Sequence, residues 1–233
     1  MIAAGGWLTA GRTRGWLWAV PGALGLGAAG LFMLVLQPDR DVHGLGDFVL
    51  KVSPLVLAVA TIALFPRGGR LAPWPLVLGL VFYMGYVDSA SFVHVSALAD
   101  AAVDGRAAAQ FPSYYRWSIF VNAFTVLLAL LAFRLGGAST ARTLKLGGVG
   151  VLLLVSGLND LTMWAMSDWP NGRPETFAWA SHVAVFLGRA PRLPDMLLFL
   201  GVHVGLAGLL LAAPLERWLS AAPFGDGRRR VGG

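Results

Sequence analysis

The chain has 233 residues, of which 57% are hydrophobic and 13% charged, and its mean hydropathy is +0.68. Soluble domains are about 45–50% apolar and about 25% charged, so this composition excludes a soluble globular domain, a disordered chain and a nucleic-acid-binding module. The absence of cysteine excludes disulfides, iron–sulfur clusters, thiolate zinc sites and thiol nucleophiles.

Six apolar stretches follow one another along the chain, each close to the ~20 residues that a helix needs to cross a bilayer. In chain order they cover residues 16–36, 48–66, 73–95, 115–135, 144–166 and 193–215. These runs are too long and too continuous for strands, in which polar and apolar residues alternate. The sequence therefore predicts an all-α, polytopic bundle of six transmembrane helices. It forms a single domain over residues 1–219, followed by a flexible basic cytoplasmic tail, 220–233.

The charges are distributed unevenly between the two predicted sides of the membrane. The segments that share a side with the N-terminus hold 11 of the 18 basic residues, whereas 10 of the 12 acidic residues fall on the other side. Because Lys and Arg are enriched in cytoplasmic loops, this bias predicts a cell-membrane protein with both termini cytoplasmic. The net charge of +6 then reflects orientation, and the expected partners are lipid and other membrane subunits, not nucleic acid.

The predicted outer side carries the two long loops, residues 98–113 and 166–192. The second loop contains an apolar stretch, 177–187, that is too short to cross a bilayer, so we expect it to lie along the outer interface or to re-enter the membrane. On the same side Asp47 precedes Lys51 by four residues. That spacing predicts an ion pair within one helix.

Four polar residues lie at predicted membrane depth, where an ionisable group costs at least about 2.5 kcal/mol. Asp88, in the third stretch, is a candidate proton, ion or metal site, or a carboxylate bonded to a neighbouring helix. Asn159 and Asp160, in the fifth stretch, are candidates for the same chemistry. The alternative for Asp160 is a hydrogen bond to Ser156, four residues earlier.

His203 is the fourth residue at membrane depth and lies near the middle of the sixth stretch, between Gly201 and Gly205. Imidazole is a good metal ligand and proton relay; the alternative is a core histidine bonded to a carbonyl. We predict that Asp88, Asn159, Asp160 and His203 are candidate metal ligands and that Asp88, Asp160 and His203 converge on one outer polar pocket. Further candidates for this pocket are His94, His182 and Asp195; the alternative for His94, close to the outer end of its helix, is a satisfied interfacial histidine.

Several segments resemble the A subunit of the copper membrane monooxygenases, the family of particulate methane, ammonia and hydrocarbon monooxygenases. The similar segments are residues 47–57, 70–80, 111–113, 123–125, 168–170 and 216–218. The run Gly157-Leu158-Asn159-Asp160 is instead similar to a Gly-Leu-Asn-Glu run of the C subunit, with Met163 where that subunit has a histidine. The resemblance implies a membrane subunit of an oxidoreductase complex, with copper in this chain or in a partner subunit.

On this basis the sequence favours a subunit that scaffolds partner subunits and shapes an outer-leaflet pocket in a copper monooxygenase-like complex. Two alternatives remain open. One is a six-helix transport or substrate-binding component, in which Asp88 and Asp160 bind a cation or small solute. The other is a structural or assembly protein whose buried polar residues only hold helices together.

Overall fold

The computed structural model describes residues 16–36, 41–68, 72–169 and 172–220. Within them every regular element is helical, and an isolated antiparallel bridge joins Thr176 to Arg192. This confirms the all-α class. The helices in chain order are α1 (Ala19–Gly30), α2 (Leu45–Leu64), α3 (Trp74–Phe82), α4 (Asp88–Val103), α5 (Ala107–Leu135), α6 (Thr140–Leu154), α7 (Leu158–Met166), α8 (Ser181–Leu187), α9 (Leu193–Ala212) and α10 (Leu215–Ser220).

Four of the described helical stretches are long and apolar enough to cross a membrane. They are α2, the continuous stretch Trp74–Val103, the segment Ala109–Leu135 of α5, and α9. Helices α6 and α7 make a fifth span if the pair, bent by 45°, is counted as one. The first predicted stretch contains only the shorter apolar helix α1, which continues into a π-helical turn, Leu31–Leu36. A count of six spans therefore stays a prediction, and so does the orientation.

The described helices belong to two compact units, residues 65–138 and the remainder of the chain on either side of them. The single domain predicted over 1–219 stays a prediction, and the predicted tail, 220–233, lies outside the described residues except for Ser220. In the unit formed by 65–138, α4 and α5 pack as a hairpin. A π-helical turn, Tyr83–Val87, joins α3 to α4.

The connecting turn at the end of α5 is held by a buried arginine. Arg134 is 3% exposed, and it donates hydrogen bonds to the carbonyl oxygens of Phe65 (3.0 Å) and Ala138 (2.7 Å). The guanidinium group presents several donors in a fixed fork, so one side chain can bind carbonyls from two segments. It thereby satisfies two partly buried backbone acceptors.

In the other unit α1 packs on α2, α2 on α6, and α6 on α9. The predicted ion pair between Lys51 and Asp47 is confirmed, with 2.9 Å between Nζ and Oδ2. Glycine permits a close approach of α6 to α9, because a Cβ on Gly148 would lie 2.6 Å from Cδ2 of Leu210.

The apolar stretch 177–187 contributes to a small, fully buried cluster in the same unit. Phe177, Ala180, Val183 and Met196 are each 0% exposed and form one hydrophobic cluster. The stretch is therefore packed against the start of α9 through Met196. Whether it also lies along a membrane interface or re-enters stays a prediction.

Candidate polar site at a broken helix

The helical path between α6 and α7 breaks at residues 155–157. Gly157 has a φ of +76°, a left-handed conformation that favours glycine. Ser156 is fully buried; its hydroxyl donates to the carbonyl of Leu153 (2.7 Å) and accepts from the N–H of Leu158 (3.2 Å). The break thus has its own polar partners, and it separates Ser156 from Asp160, which lies in the first turn of α7.

The broken segment is in close contact with α8 and α9. A Cβ on Gly157 would lie 2.8 Å from Cε of Met196, 3.6 Å from Cγ2 of Val183 and 4.0 Å from Nε2 of His182. The backbone conformation therefore favours glycine here, and a side chain would also have to displace the end of Met196. The contact brings His182 to the start of α7.

Asp160 and His182 form a largely buried polar pair at this point. Asp160 is 6% exposed, and its Oδ2 lies 3.7 Å from Nε2 of His182. That distance suits an ion pair but is too long for a hydrogen bond. Nε2 of His182 is itself buried, and no hydrogen-bond partner for it is found among the described residues.

Burial determines the protonation state of His182. Removal of the imidazole from water, followed by the electrostatic influence of His203, lowers the pKa of His182 to about 4. His182 is therefore neutral at pH 7, with one ring nitrogen that holds a proton and one that holds a lone pair.

His203 lies in α9, close to the Asp160–His182 pair. Its imidazole contacts a backbone carbonyl, as in the alternative predicted for it. Its Nδ1 is 2.8 Å from the carbonyl oxygen of Phe199. A carbonyl can only accept a hydrogen bond, so Nδ1 carries a proton and donates it. Phe199 contacts both histidines, with ring centroids 4.3 Å from His203 and 6.5 Å from His182.

Other predicted pocket residues have different surroundings. Asn159 is exposed. Asp195 lies in the first turn of α9, where it accepts a hydrogen bond from the N–H of Arg192 (2.8 Å) and two from the guanidinium of Arg189 (2.7 and 2.9 Å). These contacts stabilise the start of the helix.

Asp88 and His94 belong to the unit formed by residues 65–138. Asp88 is the exposed first residue of α4 and lines an open groove. His94 stacks on Trp117, with 5.0 Å between ring centroids and 22° between planes. The convergence of Asp88 with Asp160 and His203 stays a prediction.

A metal centre requires several donor side chains close together. Within the described ranges no three His, Asp or Glu side chains stand close enough to hold a metal ion. Asp160 and His182 are a pair of donors, fewer than the three or more protein ligands typical of copper centres. Copper in this chain or in a partner subunit stays a prediction.

The sequence contains a signal for this break, but residues 144–166 were predicted to form one continuous span. A Ser-Gly pair inside an apolar run is a turn signal, and Ser156-Gly157 is such a pair.

Comparison of the chain with protein families, with curated proteins and with solved structures finds no match.

Proposed function

We propose that the protein is a multi-pass membrane protein in which Asp160 and His182 bind a proton, as a component of proton-coupled transport of a cation or small solute. The observation that carries this proposal is the buried pair itself, with 3.7 Å between a carboxylate oxygen and an unbonded imidazole nitrogen. This function is the transport alternative left open by the sequence, with Asp160 and His182 as its site.

The chemistry of the pair supports proton binding. A carboxylate only accepts hydrogen bonds, and a neutral imidazole nitrogen without a proton also only accepts. With the lone pair of His182 on Nε2, one proton held between this nitrogen and the Asp160 carboxylate forms a hydrogen bond of about 2.8 Å. The pair then changes from a net charge of −1 to zero, and α8 is drawn toward the start of α7.

The setting of the pair at a helix break is the second support. Non-helical backbone is tolerated at membrane depth where it is buried in protein or lines a cavity, and broken helices form the ion and substrate sites of many transporters. Helices α6 and α7 form a broken helix of this kind, and Asp160 lies in the first turn after the break.

Proton flux into liposomes tests the proposal. The purified protein is reconstituted with an internal pH-sensitive dye, and an inside-negative potassium diffusion potential is imposed with valinomycin. We expect internal acidification with the natural chain. Asp160→Asn and His182→Gln should both reduce the flux to that of protein-free liposomes, because each replaces a group that can take up a proton by a neutral amide that cannot.

The matched control is Asp104→Asn, since Asp104 is an exposed carboxylate paired with Arg106; it should keep the natural flux. All variants are checked by thermal unfolding in detergent. Full flux in Asp160→Asn would refute the proposal. Loss of flux together with a large fall in melting temperature would instead favour the third hypothesis, a structural role for the pair.

A second candidate is a subunit of a multi-subunit oxidoreductase complex, as the resemblance to copper monooxygenases implies. One observation favours a scaffolding role: Gly201, Gly205 and Gly208 share one face of α9, and a Cβ at any of them would meet no described atom within 4 Å. Small residues at this spacing allow close helix approach in membranes. Native mass spectrometry with metal analysis of the chain isolated in mild detergent tests this candidate, and a metal-free monomer that still conducts protons would exclude it.

A further inference from the structure

Asp88 lies deep inside any bilayer that the stretch Trp74–Val103 crosses. This stretch has 30 residues, and at a rise of about 1.5 Å per residue Asp88 is about 21 Å from one end and 22 Å from the other. The hydrocarbon core is about 30 Å thick. If either end of the helix is placed at one edge of the core, the carboxylate therefore lies inside the core, about 7 Å or more from the opposite edge.

The helix hairpin of α4 and α5 does not use this carboxylate. Ser91 and His94 face α5: the indole N–H of Trp117 donates to the hydroxyl of Ser91 (2.9 Å), and the imidazole of His94 stacks on the same indole. Val87, one residue before Asp88, is 0% exposed. The packed face is thus occupied by these residues, and Asp88 is directed elsewhere.

The π-helical turn Tyr83–Val87 ends immediately before Asp88. A π turn adds a residue to the helical path and changes the direction of the side chains that follow it, which is a frequent arrangement at functional sites. Asp88 is exposed, and no hydrogen bond or ion pair to its carboxylate is found among the described residues.

The surroundings of Asp88 are an open groove formed by one helix. Asp88, Ser89, Ser91, Phe92 and Val95 line it, and Phe92 is 76% exposed. Residues 88, 92 and 95 recur at the four- and three-residue spacing of one helix face. This face therefore presents the exposed apolar side chains of Phe92 and Val95 beside a single negative charge.

We propose that this face binds a transmembrane helix of a partner protein that carries one lysine or arginine at the depth of Asp88. Charge complementarity is the argument: an isolated Asp, Lys or Arg at the bilayer centre costs about 2.5–3.5 kcal/mol, and pairing relieves both charges at once. A small cation is a poorer occupant, because a groove lined by one helix leaves most of its coordination sphere open. This inference rests on the membrane location of the proposed function and goes beyond its Asp160–His182 site.

Association with a designed helix in lipid vesicles tests the inference. The probe is an acceptor-labelled polyleucine peptide of about 22 residues with one central lysine, and the protein carries a donor on Ala102→Cys, which the cysteine-free chain makes a unique label. We expect energy transfer to show association about tenfold tighter than for the all-leucine peptide. Asp88→Leu should abolish the difference, whereas Asp100→Asn, on the same helix, should keep it.

A charge exchange keeps the test decisive if a variant is damaged. Asp88→Lys should lose the lysine peptide and gain a polyleucine peptide with one central glutamate, and a misfolded protein cannot produce that gain. Equal association of the lysine and all-leucine peptides with the natural chain would overturn the inference. Flotation of the vesicles separates the two proposals: a chain that fails to co-float refutes the membrane location, whereas one that inserts without binding the lysine peptide refutes only this inference.

Discussion

At the scale of single residues, Gly157 determines whether the break between α6 and α7 can form. Its φ of +76° costs a residue with a Cβ about 1 kcal/mol, and the new methyl would also press on Met196, 2.8 Å away. We therefore expect Gly157→Ala to lower the free energy of unfolding by about 2–3 kcal/mol, measured by thermal or denaturant unfolding in detergent.

The control for this substitution is Gly188→Ala in the same unit. Gly188 has a φ of +68°, but a Cβ there would meet nothing within 4 Å among the described residues. Gly188→Ala should therefore lower the free energy of unfolding only by the strain of the left-handed conformation, about 1 kcal/mol. If the two variants unfold alike, the close packing of the break against α8 and α9 is wrong.

His182 makes stability depend on pH in a defined direction. Because burial lowers its pKa from 6.5 to about 4, the unfolded chain takes up a proton on this residue more readily than the folded chain. The part of the free energy of unfolding that depends on a neutral His182 is therefore complete above about pH 6.5. It is lost as the pH falls from 6.5 toward 4, by up to about 3 kcal/mol.

Unfolding in detergent at pH 7 and at pH 4.5 measures this loss. His182→Gln, which cannot titrate, should flatten the dependence, whereas His94→Gln leaves His182 in place and should keep the slope of the natural chain. An unchanged slope in His182→Gln would show that the titration belongs to another group.

At the scale of elements, Arg134 joins two chain segments through the carbonyls of Phe65 and Ala138. Arg134→Lys keeps the charge but presents a single compact group in place of a fork. We expect it to leave at least one partly buried carbonyl without its donor and to cost about 1–3 kcal/mol. Thermal unfolding in detergent provides the measurement.

Arg67→Lys is the matched control for Arg134→Lys. Arg67 donates to the carbonyl of Gly137 at 3.1 Å from an exposed position, so water can replace a lost bond and the cost should stay below about 1 kcal/mol. Equal destabilisation by both variants would contradict the role assigned to burial.

The helices themselves were predictable because apolar length is a strong local signal. Runs of about 20 apolar residues coincide with α2, α5 and α9. The break at Gly157 and the π turn before Asp88 were not predicted, because each depends on one or two residues inside a uniformly apolar run. The proximity of Asp160 to His182, 22 residues later, depends on how α8 packs, which hydropathy does not encode.

At the scale of the whole molecule, the unequal distribution of basic residues predicts which loops lie in the cytoplasm. The absence of cysteine makes single-cysteine labelling unambiguous. We expect a membrane-impermeant maleimide to label Asp104→Cys and Glu175→Cys in intact cells, and to label Gly68→Cys and Ala138→Cys only after permeabilisation.

The unlabelled natural chain is the background for this experiment, and a tag on the N-terminus extends it to the first apolar segment. If α1 with its π turn crosses the membrane, the tag lies on the cytoplasmic side, as six spans require; if α1 does not cross, the tag lies outside. Since α1 has only 12 residues, about 18 Å at a rise of 1.5 Å per residue, it needs the following π turn to approach the thickness of the hydrocarbon core. Labelling of Gly68→Cys and Asp104→Cys from the same side would contradict a crossing by the stretch between them, and with it the placement of Asp88 inside the bilayer.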